Sequence, residues 1–157
     1  MPIIQCLFFY NKSILEQAGV NEIPKTYSEF REACKKVTEM GNGNIYGLID
    51  GGKQMNRMDV MARSLAAAAG GKVAATQKVL TDNGVAPYDS KEMNEALGLI
   101  KGLVDDGSIH PDTINVSAPE ARELFAQGQA AFLCQGMWCV SPVSYTHLRA
   151  HETTLHL

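Results

Sequence analysis

The sequence predicts a layered α/β domain. Three observations carry that expectation: apolar runs of strand length at residues 3–10, 45–49 and 130–134, intervening stretches with apolar residues at helical spacing, and two capping boxes that mark helix starts. Strands separated by helices bury a sheet between helix layers.

Residues 3–10 form a continuous apolar run closed by the polar Asn11-Lys12. Such a run suits a strand buried on both faces of a parallel sheet. Residues 11–18 then read as a short helix stopped by Gly19. Pro24 and the capping box Thr26-Tyr27-Ser28-Glu29 open the next helix, the Thr hydroxyl and Glu carboxylate satisfying amides of the first turn that have no helical partner. Phe30, Ala33, Cys34, Val37 and Met40 follow at helical spacing, and Gly41 ends the pattern. After a turn cluster at 41–44, residues 45–49 are apolar and β-branched enough for a strand, which Asp50-Gly51-Gly52 closes.

Met55 or Asn56 opens a helix with Met58, Met61, Ala62, Leu65 and Ala69 on one face, ended by Gly70-Gly71. Residues 72–87 have no helical period and read as a hairpin or loop around Asp82-Asn83-Gly84. Ser90 can cap a helix whose Met93, Leu97, Ile100 and Val104 make the expected buried face, with Gly107 just past its end. The second capping box, Ser117-Ala118-Pro119-Glu120, leads into Ala121, Leu124 and Phe125, and Gly128 stops that helix before the last strand.

Composition narrows the functional classes. The 157 residues are 45% hydrophobic and 20% charged, ordinary usage for one globular domain with a real core. Fourteen basic against 17 acidic side chains give a net charge of −3, and no dense Lys/Arg stripe is present to neutralise a phosphate backbone, so nucleic acid is not an expected partner. No apolar run approaches the roughly 20 residues that span a bilayer. Cys6, Cys34, Cys134 and Cys139 show neither a C-x-x-C pair nor metal-ligand spacing. Buried free thiols are the expected state, with a Cys134–Cys139 or Cys6–Cys139 bridge left open. No phosphate loop, nucleophile elbow or H-E-x-x-H motif is present, and no cofactor is expected.

Specific blocks resemble a known family. Phe9-Tyr10-Asn11-Lys12-Ser13-Ile14-Leu15 with Ala18-Gly19, then Pro24-Lys25-Thr26-Tyr27-Ser28-Glu29-Phe30, are similar to segments of family 1 extracellular solute-binding proteins. Ala69-Gly70-Gly71, the helix end Gly102-Leu103-Val104-Asp105-Asp106-Gly107, and the stretch from Ala121-Arg122-Glu123-Leu124-Phe125 to Gly128-Gln129-Ala130-Ala131-Phe132 continue the likeness in the same order. The resemblance covers most of positions 6–140. It implies a type II periplasmic-binding-protein-like fold of two α/β lobes around a ligand cleft, with this chain an incomplete piece drawn mainly from the second lobe. It further implies capture of a small solute, a sugar or oligosaccharide, for the permease subunits of an ABC importer, without chemistry on the solute.

The location implied is periplasmic or extracellular, with membrane contact only through the permease or through a lipid anchor outside this chain. The first ten residues lack a basic n-region and a small-residue cleavage site, and Gln5 stands before Cys6 where a lipoprotein acceptor wants a small residue. The chain is therefore expected to be an internal piece.

Candidate ligand contacts follow from chemistry and from the resemblance. Gly136-Met137-Trp138 is similar to the family's N-G-P-W segment, and the resemblance implies that Trp138 stacks on a sugar ring; an aromatic face offers broad contact to sugar C–H groups while the indole N–H still donates. A core or interface Trp is the alternative. Asp50, Gln54, Asn56 and Arg57 lie between a strand end and a helix start, and the crevice outside strand carboxyl ends is where open α/β sheets bind ligands. A solvated loop is the alternative there. Tyr10, which closes a strand, joins the candidates, although packing with a satisfied hydroxyl is its simpler role.

Residues 143–157 stand apart from residues 1–142. The run Val143-Ser144-Tyr145-Thr146-His147-Leu148-Arg149-Ala150-His151-Glu152-Thr153 resembles one reading frame of a transposon-end adapter used in sequencing libraries, and it is expected to be non-native. His147 and His151, four apart with Glu152 following, could on a helix hold one metal and support a hydrolase reading. A second enzyme reading pairs a thiol with His110. Neither accounts for the ordered blocks above. Deleting residues 143–157 is expected to leave folding unchanged, and a large fall in melting temperature on that deletion would make the tail genuine structure.

Overall fold

A computed structural model of the chain describes residues 6–54, 56–68, 91–136 and 150–151. The elements run β1 (Cys6–Asn11), α1 (Lys12–Gln17), α2 (Tyr27–Gly41), β2 (Tyr46–Ile49), α3 (Asn56–Ala68), α4 (Lys91–Asp105), a 3-10 turn (Pro111–Ile114), α5 (Ala118–Ala126), β3 (Ala130–Gly136) and β4 (Ala150–His151). The hairpin or loop expected at 72–87 lies outside the described residues.

The sheet has the order β2-β3-β1-β4. Its inner strand β3 runs parallel to β2, with Leu48 opposite Phe132 and Ile49 opposite Leu133. The expectation of a parallel setting for the first strand is corrected here. β1 pairs antiparallel with β3, in a register that sets Cys6 opposite Gly136 and Tyr10 opposite Phe132. An unbroken apolar run reports burial on both faces, and two helix layers produce that burial whichever way the neighbouring strand points. β4 adds a two-residue ladder to β1 at Tyr10 and Asn11.

Phe8, Tyr10, Leu48, Phe132 and Cys134 face α2, α3 and α4, where they meet Phe30, Val37, Met61, Leu65, Met93 and Leu103. Phe9, Ile49 and Leu133 face the opposite way, onto Ala121 and Phe125 of α5. Phe30 bridges two strands: its ring centroid lies 5.4 Å from Phe8, edge-on, and 4.7 Å from Phe132. Each such aromatic pair adds about 0.5–1.5 kcal/mol beyond its burial.

Local sequence sets the helix ends. Asn11 caps α1 by accepting the Ile14 amide at 3.2 Å. Both capping boxes form, on Thr26 with Glu29 and on Ser117 with Glu120. The Ser117 amide, donating to Glu120 Oε2 at 2.7 Å, holds that carboxyl below the usual carboxylate range. α2 ends as Asn42 enters the left-handed region at φ 46°. Tyr27 ties α2 to α3 by donating to the Leu65 carbonyl at 2.6 Å, and burial, with the charge of Glu95 adding to it, pushes its phenol up to about 12.

The expected buried face of the helix beginning at Lys91 is corrected by about one position. Met93, Ala96, Leu99, Gly102 and Leu103 are buried, whereas Leu97 and Val104 are 41% and 59% exposed. Two overlapping apolar stripes compete along this helix, and the one with the small residues wins because it permits close approach. A Cβ on Gly102 would lie 2.7 Å from the guanidinium carbon of Arg31, which crosses the helix to make a two-pronged ion pair with Asp106 at 2.6 and 3.0 Å.

α2 and β2 approach more closely still. A Cβ on Gly47 would stand 2.4 Å from Cys34 Cβ, and Thr38 Oγ1 accepts the Gly47 amide at 3.1 Å. The free edge of β2 is covered, since the Leu48 amide donates to Ser108 and the His110 amide to Leu48. Covered edges resist pairing with other chains.

Gly47→Ala is expected to cost about 1–3 kcal/mol through overpacking. Gly98→Ala, on the open side of α4 with nothing within 4 Å of the added Cβ, should instead gain about 0.5–1 kcal/mol. Urea melts of the two variants read the opposite signs directly.

Candidate functional site

Because β2 and β3 are parallel, their carboxyl ends open at the same end of the sheet. Asp50 is the first residue beyond β2. A Cβ at Gly51 would sit 2.3 Å from the Ala118 amide nitrogen, so only glycine lets the chain pass there. The Gly52 amide donates to the Thr113 carbonyl at 2.7 Å and the Lys53 amide to the Val116 carbonyl at 3.1 Å. The loop from 51 to 53 is thus strapped to the 3-10 turn and to the segment that joins it to α5.

Asp50 and Arg57 form a buried ion pair, 1% and 7% exposed at their side chains, with Arg57 Nη2 2.9 Å from Asp50 Oδ1. The same nitrogen donates to the Cys134 carbonyl at 2.8 Å. One guanidinium therefore fastens the first turn of α3 to the ends of two strands. Asp50 Oδ1 also accepts the Gly51 amide at 2.7 Å, while the enclosed Oδ2 has no hydrogen-bond partner among the described residues. Burial pushes the Asp50 carboxyl above the usual carboxylate range, an effect that Arg57 only partly offsets.

Four of the expected candidates come together here. Asp50 and Arg57 are bonded to each other and buried, and Gln54 and Asn56, on the same 50–57 segment, are exposed. Tyr10 is elsewhere: it lies opposite Phe132, toward the other end of β3, buried against the helix layer. Trp138 lies outside the described residues, two positions in sequence after β3 ends at Gly136. Sequence reasoning missed the backbone acceptors at Thr113, Val116 and Cys134. The doublet Gly51-Gly52 was a usable signal for the close approach.

Among the described residues, those of the enzyme readings are not assembled. Cys134 sits near the carboxyl end of β3, whereas His110 bonds Gln129, one residue before β3 begins. Cys34 is a fully enclosed thiol whose ionisation burial opposes, the opposite of an activated nucleophile. His151 belongs to a strand, not the helix that an i,i+4 imidazole pair needs, and His147 lies outside the described residues. Among the described residues no group of three or more His, Cys, Asp or Glu side chains could hold a metal ion, and no helix is long and apolar enough to cross a membrane.

A model of the bacterial extracellular solute-binding protein family matches residues 5–140. The chain belongs to that family. A Brucella abortus (strain 2308) protein named as a binding protein is 26% identical over 125 residues, which are 80% of this chain and 28% of the relative. Among solved structures, a chitin oligosaccharide binding protein superposes with a TM-score of 0.71 at 26% identity, over 89% of this chain and 35% of its own. An ABC transporter solute binding protein from Thermotoga lettingae, bound with alpha-D-tagatose, gives 0.68 at 30% identity over 90% and 35%. The chain thus spans about a third of the length of these relatives. The fold is that of the periplasmic solute-binding proteins.

In this family member the ion pair should behave as a unit. Arg57→Met is expected to cost about 3–5 kcal/mol by stranding a buried carboxylate, and the Asp50→Asn/Arg57→Met double variant less than that. The Arg57→Met penalty should shrink as pH falls, because Asp50 then takes up a proton and sheds its buried charge. Urea denaturation at neutral and acid pH tests both statements, and a penalty that grows on acidification would refute the assignment.

Proposed function

We propose that this chain supplies one wall of a solute-binding cleft in the ligand-capturing subunit of an ABC importer, and that the solute is a sugar or oligosaccharide. The observation that carries the reading is the position of the 50–57 segment, with Asp50, Gln54, Asn56 and Arg57, just beyond the carboxyl end of β2 and tied by Arg57 to that of the parallel β3, the place where α/β sheets receive ligands. Gln54 and Asn56 are exposed amides that can both donate to and accept from hydroxyl groups. Asp50 and Arg57, bonded to each other and through Arg57 to the Cys134 carbonyl, fix the segment that carries them. Trp138 supplies the stacking face, and Tyr10, toward the other end of β3, packs in the core rather than at the wall.

Two of the relatives support the choice of solute class, one named for chitin oligosaccharide and the other bound with a ketohexose. In this reading residues 1–142 are the solute-binding part, mainly the second lobe, and residues 143–157 are the adapter-derived tail. The subunit works outside the cytoplasmic membrane and hands its solute to permease subunits. The chain itself performs no chemistry.

Trp138 is the only tryptophan, so its fluorescence reports on the wall directly. Titration with neutral oligosaccharides is expected to shift that emission saturably with millimolar affinity, because closure in such proteins buries the ligand between two walls. No shift with any sugar up to tens of millimolar would sink the assignment. Micromolar binding by calorimetry would show that a single wall suffices and overturn the two-wall account.

A further inference from the structure

We infer that His110 is a pH-operated catch on the strap that supports the loop after β2. Its ring is enclosed, 5% exposed, at the amino end of the sheet. Nδ1 accepts the Asp112 amide at 3.1 Å, so it carries no proton, and the hydrogen lies on Nε2, which donates to Gln129 Oε1 at 3.0 Å. The ring also stands edge-on to Tyr46, centroids 5.0 Å apart, and the His110 amide donates to Leu48. The neutral ring is thus the N-cap of the 3-10 turn Pro111–Ile114, and the carbonyls of Thr113 within the turn and Val116 just beyond it receive the Gly52 and Lys53 amides.

Protonation turns Nδ1 from acceptor to donor. Two donors then confront each other across 3.1 Å, and the turn loses its cap. The titratable groups facing the ring are Tyr46 from β2 and Asp112 from the turn itself; the groups from the loop before β3, Gln127 and Gln129, are neutral. These residues line a depression of ≈ 560 Å³ at the end of the sheet opposite Asp50. Asp112 is thus the one acidic residue that shares this depression with the ring. Acidification therefore loosens the strap, and with it the loop at 51–53. That this loop borders the solute rests on the function proposed above; the catch itself does not.

Amide hydrogen exchange on the full chain tests it without a ligand. Corrected for intrinsic rates, exchange at Gly52, Lys53 and Asp112 is expected to rise about fivefold between about pH 8 and about pH 5, the population change that one cap sustains. His110→Asn supplies a cap that does not titrate and should abolish the rise while keeping the protection seen at high pH. In the unmodified chain, ring nitrogen shifts should show the Nε2–H tautomer at neutral pH, converting over the same pH interval as the exchange step. Constant protection across that interval, the same step in His110→Asn, or an Nδ1–H tautomer would each overturn the catch, and the tautomer reading stands even if the variant does not fold.

Discussion

Every residue of β3 is buried, and the rest of the described structure is arranged around that constraint. A strand covered on both faces must fill each face with apolar side chains and give every backbone group a partner. Phe132 and Cys134 serve one helix layer and Leu133 the other, while β1 and β2 take the two edges. Near the carboxyl end a side chain is recruited as well: Arg57 takes up the Cys134 carbonyl, and a buried cation then requires Asp50. The ion pair at the candidate wall is in this sense a consequence of burying the strand.

Features that depend on a few neighbouring residues were legible in the sequence. Both capping boxes, the Asn11 start of α1 and the glycine stop at Gly128 involve contacts within about one helical turn, so the residue types specify them. The strands were legible as strands, because apolar runs of that length have few other uses. Their relative direction was not, since the partner of β1 lies more than a hundred residues away and an apolar run is silent about orientation. The face of α4 was misread because Ala96 and Gly102 carry almost no hydropathy signal, yet they decide which side can approach α2.

The candidate site was partly legible for the same reason. That polar residues follow β2 is a sequence fact, and their place outside the strand ends follows from the fold class. Which of them are spent on each other is a matter of distance. Asp50 and Arg57 are seven apart and become partners only because α3 folds back over the end of β2, whereas Gln54 and Asn56, between them in sequence, stay in solvent. Backbone carbonyls such as those of Thr113 and Cys134 leave no trace in residue type at all.

The antiparallel pairing of Cys6 with Gly136 has a temporal side. On a ribosome β1 emerges first, yet its partner strand is made some 130 residues later. Until then Phe8 and Phe9 have helices to lean on but no ladder, while α1 and α2 can already close on local contacts. Pairing of such high sequence separation makes folding slow and leaves an apolar strand open to misassociation while the chain grows. A cell making this protein must shield β1 until β3 has left the exit tunnel, and only then can the ladder between them form.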